Sequence, residues 1–204
     1  MGLKISWRKI LLLAFGMSMF ASLVYEVVWT RYLSLVFGTT VYALSAVLTS
    51  FMAGLAIGSY VFGKIADKRK NLLGLFAKLE FVLGAYGILL ILLFKVIQYP
   101  YFFLHSIFGS SFLMTMSLFI MAFIVLFIPT VIIGATFPLM SKIYIEKVGR
   151  DVSDVYAVDT IFGALGAFSA GFFFLPYLGL AQTAILAAVL NFGIGYIFYR
   201  RRTQ

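Results

Sequence analysis

Three of the chain's seven acidic side chains, Glu26, Glu80 and Asp159, stand inside long apolar segments. An ionised group at the middle of a membrane helix costs roughly 2.5 to 3.5 kcal/mol on insertion scales, so each of the three needs a partner, a proton or water. Around Glu26, the residues Ser18, Ser22, Tyr25 and Trp29 fall with it within about 100° on a helical wheel. Such a polar stripe is expected to face protein or a cavity. Glu80 lies two residues from Lys78, so the two sit on nearly opposite sides of a helix and are not expected to pair. Two roles are open to Glu80: a cation-attracting interior shared with Glu26, or a structural pair with a neighbouring basic group. Lys78 is expected to reach back to the headgroups, as is Arg31, which lies about 140° round from Glu26 and near a helix end. Asp159 sits on the stripe continued by Gly163 and Gly166. Glu26, Glu80 and Asp159, with Tyr25 and Trp29, are the candidate substrate-binding residues. The chemistry they suit is attraction of a small organic cation, with the carboxylates as counter-ions or proton-coupling sites.

Other chemistries find little support. There is no cysteine, and the one histidine, His105, lies in a short aromatic connection, where it is expected to be an ordinary interfacial side chain. No phosphate-binding glycine loop and no nucleophile-base pattern occurs, so no catalytic, metal or cofactor site is expected and the chain does not read as an enzyme. The net charge of +9 raises the question of nucleic acid, but the lysines and arginines cluster beside apolar segments, where membrane topology accounts for them.

The elements that must position these residues follow from hydropathy. Of 204 residues 63% are hydrophobic and 11% charged, more apolar surface than a water-soluble fold of this length can bury. The expected fold is all-α: a single membrane domain, residues 1–204, of about six transmembrane helices near 10–37, 41–63, 72–97, 112–138, 156–177 and 180–199. The apolar run that follows the basic start continues past Ala21 with no evident cleavage site and is expected to be a retained first helix. Lys4, Arg8 and Lys9, then Lys64, Lys68, Arg69 and Lys70, then Lys142, Lys147 and Arg150, then Arg200, Arg201 and Arg202 all fall on one side of this topology. The opposite connections hold no lysine or arginine, with Lys95 the nearest. That asymmetry places both ends in the cytoplasm, as a multi-pass protein of the cell membrane. The third connection, QYPYFFLHSIFGSS, is aromatic and is expected in the headgroup region.

Gly54 and Gly58 in the second span, and Gly163, Ala167 and Gly171 in the fifth, are spaced for close helix packing. Pro129 and Pro138 each remove a backbone donor from the fourth span. Asp151, Ser153 or Asp154 is placed to cap the fifth.

Three stretches in combination resemble the multi-spanning membrane domain of spermidine synthase-like proteins: YEVVWTRYLSLVFGTTVYALSAVLTSFMAGLAIGSYVFGKIADK, IIGATFPLM and VYAVDTIFGALGAFSAGFFFLPYLGL. They occur in that family's order. The family usually has asparagine where this chain has Asp159, which adds a charge. The soluble aminopropyltransferase domain of the family, with its glycine-rich loop and catalytic aspartate, has no counterpart before the final RRRTQ. The resemblance therefore implies the membrane partner of such a system, with a polyamine as the cation or a separate soluble synthase-like enzyme as a partner to anchor. A shorter likeness is to one six-helix half of a major facilitator transporter, through Gly63, Asp67 and Lys68 of a GxxxD[RK] loop. It implies a site between two halves and hence a homodimer.

Overall fold

The computed structural model describes residues 5–38, 41–109, 112–145 and 149–201. Lys4, Lys147 and Arg202 of the basic clusters, and Thr39 and Thr40 of the first connection, lie outside these. Among the described residues all regular structure is helical: α1 (Ile5–Phe37), α2 (Val41–Lys68), α3 (Leu72–Val96), α4 (Gln98–Phe108), α5 (Phe112–Tyr144), α6 (Arg150–Ser169), a π-helical turn (Ala170–Phe174) and α7 (Leu175–Arg201). Five helical stretches are long and apolar enough to cross a membrane, the last being Arg150–Arg201. Straight, those 52 residues would run about 78 Å. The stretch instead breaks at Gly179, whose φ of 78° and ψ of 177° suit a residue without Cβ. Both its ends return to the start of α1. Arg8 binds Asp151 at 2.7 Å, and Arg201 lies 4.9 Å over the Trp7 ring. The chain thus passes through the bundle six times, with the break where the fifth and sixth predicted spans meet.

α1 is the most buried of the long helices and touches every other one. α2 packs on α5, α6 on α1, and α7 on α3 and α1. Glycines set two of these contacts. A Cβ built on Gly54, Gly58 or Gly134 would collide with Thr130, Val131 or Leu55 across the α2–α5 seam. On α6 a Cβ on Gly166 would strike the backbone of Phe20 in α1, and one on Gly163 would lie 3.3 Å from Leu23. Gly171, predicted to continue this stripe, is exposed with nothing near it; the buried row is Gly163, Gly166 and Ala170, because helical pitch carries Gly171 off the α1 face.

Pro129 takes away the donor that would serve the carbonyl of Val125, and the hydroxyl of Tyr86 on α3 donates to that oxygen at 3.2 Å. The helix continues through both prolines. The third connection is helical over Gln98–Phe108, with Tyr99, Phe102, Phe103 and Ile107 exposed and Tyr101 packed on the core.

Contacts made by basic side chains gather at one end of the bundle. Arg8 of α1 bridges Asp151 of α6 and lies 4.2 Å over the ring of buried Tyr144 in α5. Lys142 of α5 pairs with Asp67 of α2 in the open. The predicted side-chain cap of α6 is absent. Its N-cap is Gly149, Ser153 donates to the Gly149 carbonyl, and Asp151 turns to Arg8, a full charge in place of a peptide donor. Asp151→Ala should therefore lower the detergent melting temperature by several degrees. Asp67→Ala should change it little, because a solvated pair contributes almost nothing.

Candidate functional site

The helix pairs leave a cavity of about 360 Å³ among α1, α2, α5 and α6. α1 and α5 meet behind it, while α2 leans on α5 and α6 on α1. Glu26 enters from α1 and Asp159 from α6. Met19, Phe51, Ile133 and Phe137 supply apolar wall, and Ser59 and Tyr156 add hydroxyls. Among the described residues no lysine, arginine or histidine lines it. Among the described residues neither carboxylate has an ion-pair partner, and Asp159 Oδ1 is buried with no hydrogen bond. At this size the cavity suits a small molecule. Its chemistry suits a cation, because a positive group would relieve two carboxylates that the protein leaves unpaired. Met52 and Tyr156, both well exposed, stand at its mouth.

The five sequence-predicted site residues divide between two places. Glu26 and Asp159 share the cavity. Glu80 is wholly buried elsewhere, where Ser18 Oγ donates to its Oε1 at 2.5 Å and Asn191 Nδ2 of α7 donates to its Oε2 at 2.6 Å. Tyr25 and Trp29 stack 5.1 Å apart, and Tyr25 lies against Gly87 of α3. The stripe on α1 is therefore two adjoining faces. Ser18, Ser22, Tyr25 and Trp29 turn towards α3, and Glu26, with Met19 and Leu23, turns to the cavity. Tyr25 Oη and Trp29 Nε1 are buried without hydrogen-bond partners among the described residues. Lys78 and Arg31 are exposed, as the wheel positions imply. His105 is exposed on α4, its ring 6.1 Å from that of Tyr101.

Three participants escaped sequence reasoning. Asn191 was legible in principle, as the one amide in the middle of the sixth span, with Gln182 at its start. Ser59 and Tyr156 were not, since nothing in their spacing links α2 to α6 across a gap. Among the described residues no three histidine, aspartate or glutamate side chains gather as a metal-binding set. Comparison with protein families, with curated proteins and with solved structures finds no match.

Proposed function

We propose that the chain is a multi-pass protein of the cell membrane, both ends cytoplasmic, that binds and moves a small organic cation through the cavity between Glu26 and Asp159. The observation that carries this reading is a cavity with two carboxylates that, among the described residues, have no ion-pair partner and no basic side chain beside them. The basic end of the bundle supports the orientation, by the preference of lysine and arginine for the cytoplasmic side.

Shape narrows the cation. Arg8 and Asp151 lie level at the basic end. Glu26 follows Arg8 by 18 residues and Asp159 follows Asp151 by 8, which sets the two backbones about 15 Å apart along nearly parallel helices. An apolar groove with a carboxylate towards each end fits a linear amine charged at both ends. A polyamine is such a molecule, and the resemblance to spermidine synthase-like membrane domains suggests the same class. All the lining residues except Met19 and Leu23 fall in the three stretches that carry that resemblance. The exposed mouth at Met52 and Tyr156 is suited to closure by a second copy, the homodimer that the likeness to a transporter half implies.

Vesicles holding the purified protein are expected to take up labelled spermidine faster than empty vesicles, with Glu26→Gln or Asp159→Asn each reducing uptake at least tenfold. Uptake equal to that of empty vesicles across a panel of amines would overturn the reading. One observation favours a second reading, a noncatalytic anchor for a soluble synthase-like enzyme: Lys68, Arg69 and Lys70 are all exposed at the basic end. Neutralising these three would then abolish function while the carboxylate variants retain it.

A further inference from the structure

Glu80 takes no part in the cavity, yet it is the most completely enclosed acid among the described residues. Among the described residues nothing around it supplies positive charge. From α1 the titratable group on the α3 side is Tyr25, whose hydroxyl lies against Gly87 and makes no bond to Glu80, and Ser18 is bonded to Glu80. From α7 it meets Asn191 and Gly195, neither titratable. α5 carries no ionisable residue before Lys142 at the basic end, and Lys78 on Glu80's own helix is exposed. An isolated carboxylate in such surroundings is relieved most simply by taking a proton, since two neutral donors do not replace a hydration shell.

The heavy-atom arrangement serves both forms. As a carboxylate, Glu80 accepts from Ser18 at 2.5 Å and from Asn191 at 2.6 Å. As an acid, it keeps the Ser18 bond at Oε1 and donates its proton from Oε2 to Asn191 Oδ1, an oxygen buried without a partner among the described residues, once that amide turns over. Only the Asn191 amide has to turn. We propose that Glu80, Ser18 and Asn191 form a proton-binding site, loaded while α1, α3 and α7 are closed and exchanging its proton when they part. α1 ties this site to the cavity, because consecutive residues serve the two sides: Ser18 holds Glu80 while Met19 lines the cavity, and Tyr25 packs on α3 at Gly87 while Glu26 faces the cavity. Displacement of α1 by a bound cation therefore disturbs the proton site.

The loaded site rests on burial and hydrogen bonding alone; only its coupling to the cavity rests on the proposed transport. Infrared spectra of the full chain in ester-free detergent at neutral pH test it without any amine. The carbonyl band of a protonated carboxylic acid is expected in the native protein, lost in Glu80→Gln and retained in the Glu26→Gln, Asp159→Asn double variant. Ser18→Ala should move the band to higher frequency by removing its hydrogen bond. A native spectrum without the band, or a band that survives Glu80→Gln, overturns the proposal. If Glu80→Gln does not fold, an unmoved band in Ser18→Ala overturns it equally.

Discussion

Gly58→Leu is expected to leave no folded protein, and Gly58→Ala to cost about 2 kcal/mol or more, at the upper side of ordinary overpacking. A Cβ at this position meets the carbonyl group and Cα of Val131, which belong to the α5 backbone and have no rotamer to escape into. The opposite helix repeats the constraint, with Gly134 against the backbone of Leu55, so neither helix can yield without the other. Relief requires the axes to part by an ångström or more. In a bilayer, where lipid tails are as apolar as leucine, that separation forfeits the dispersion contacts on which helix association depends. Gly193 provides the control: it has nothing within 4 Å of an added Cβ, and Gly193→Ala should change stability by less than about 0.5 kcal/mol. Thermal unfolding in detergent separates the three variants.

Gly54 and Gly58 were legible as a packing stripe because helical spacing alone puts them on one face. Their partner was not, because Gly134 is a single glycine between two prolines and nothing in the sequence says that α5 comes to meet α2. The same division holds elsewhere. Hydropathy located the apolar spans, and the break between the last two falls at Gly179 as their spacing implied. Asp151 was misread as a cap since its salt-bridge partner lies 143 residues away, a distance over which local rules are silent. Glu80 and Lys78 were correctly set on opposite sides of α3, whereas neither an interior shared with Glu26 nor a basic partner is what Glu80 meets; finding Asn191 needed the order in which helices pack around α1.

Neutralising both cavity carboxylates, Glu26→Gln with Asp159→Asn, is expected to weaken binding of a long diamine by about a hundredfold or more. Hydrogen bonds to charged groups contribute roughly 1.5 to 3 kcal/mol each, and a dication that reaches both ends of the groove loses two of them. The isosteric amides keep the cavity's volume and hold its walls in place, so the loss is electrostatic and not a matter of shape. Glu26 and Asp159 sit on different helices about 15 Å apart along the bundle, so a short diamine engages only one carboxylate at a time. The prediction is thus graded by ligand length. Each single variant should weaken a long diamine by tenfold or more, while a short one, free to move to the remaining carboxylate, loses only a few-fold. Isothermal titration of native, single and double variants against diamines of increasing chain length measures both trends. Equal losses at every length would mean that the two carboxylates act as one local charge, and a double variant that binds like the native protein would remove them from the site.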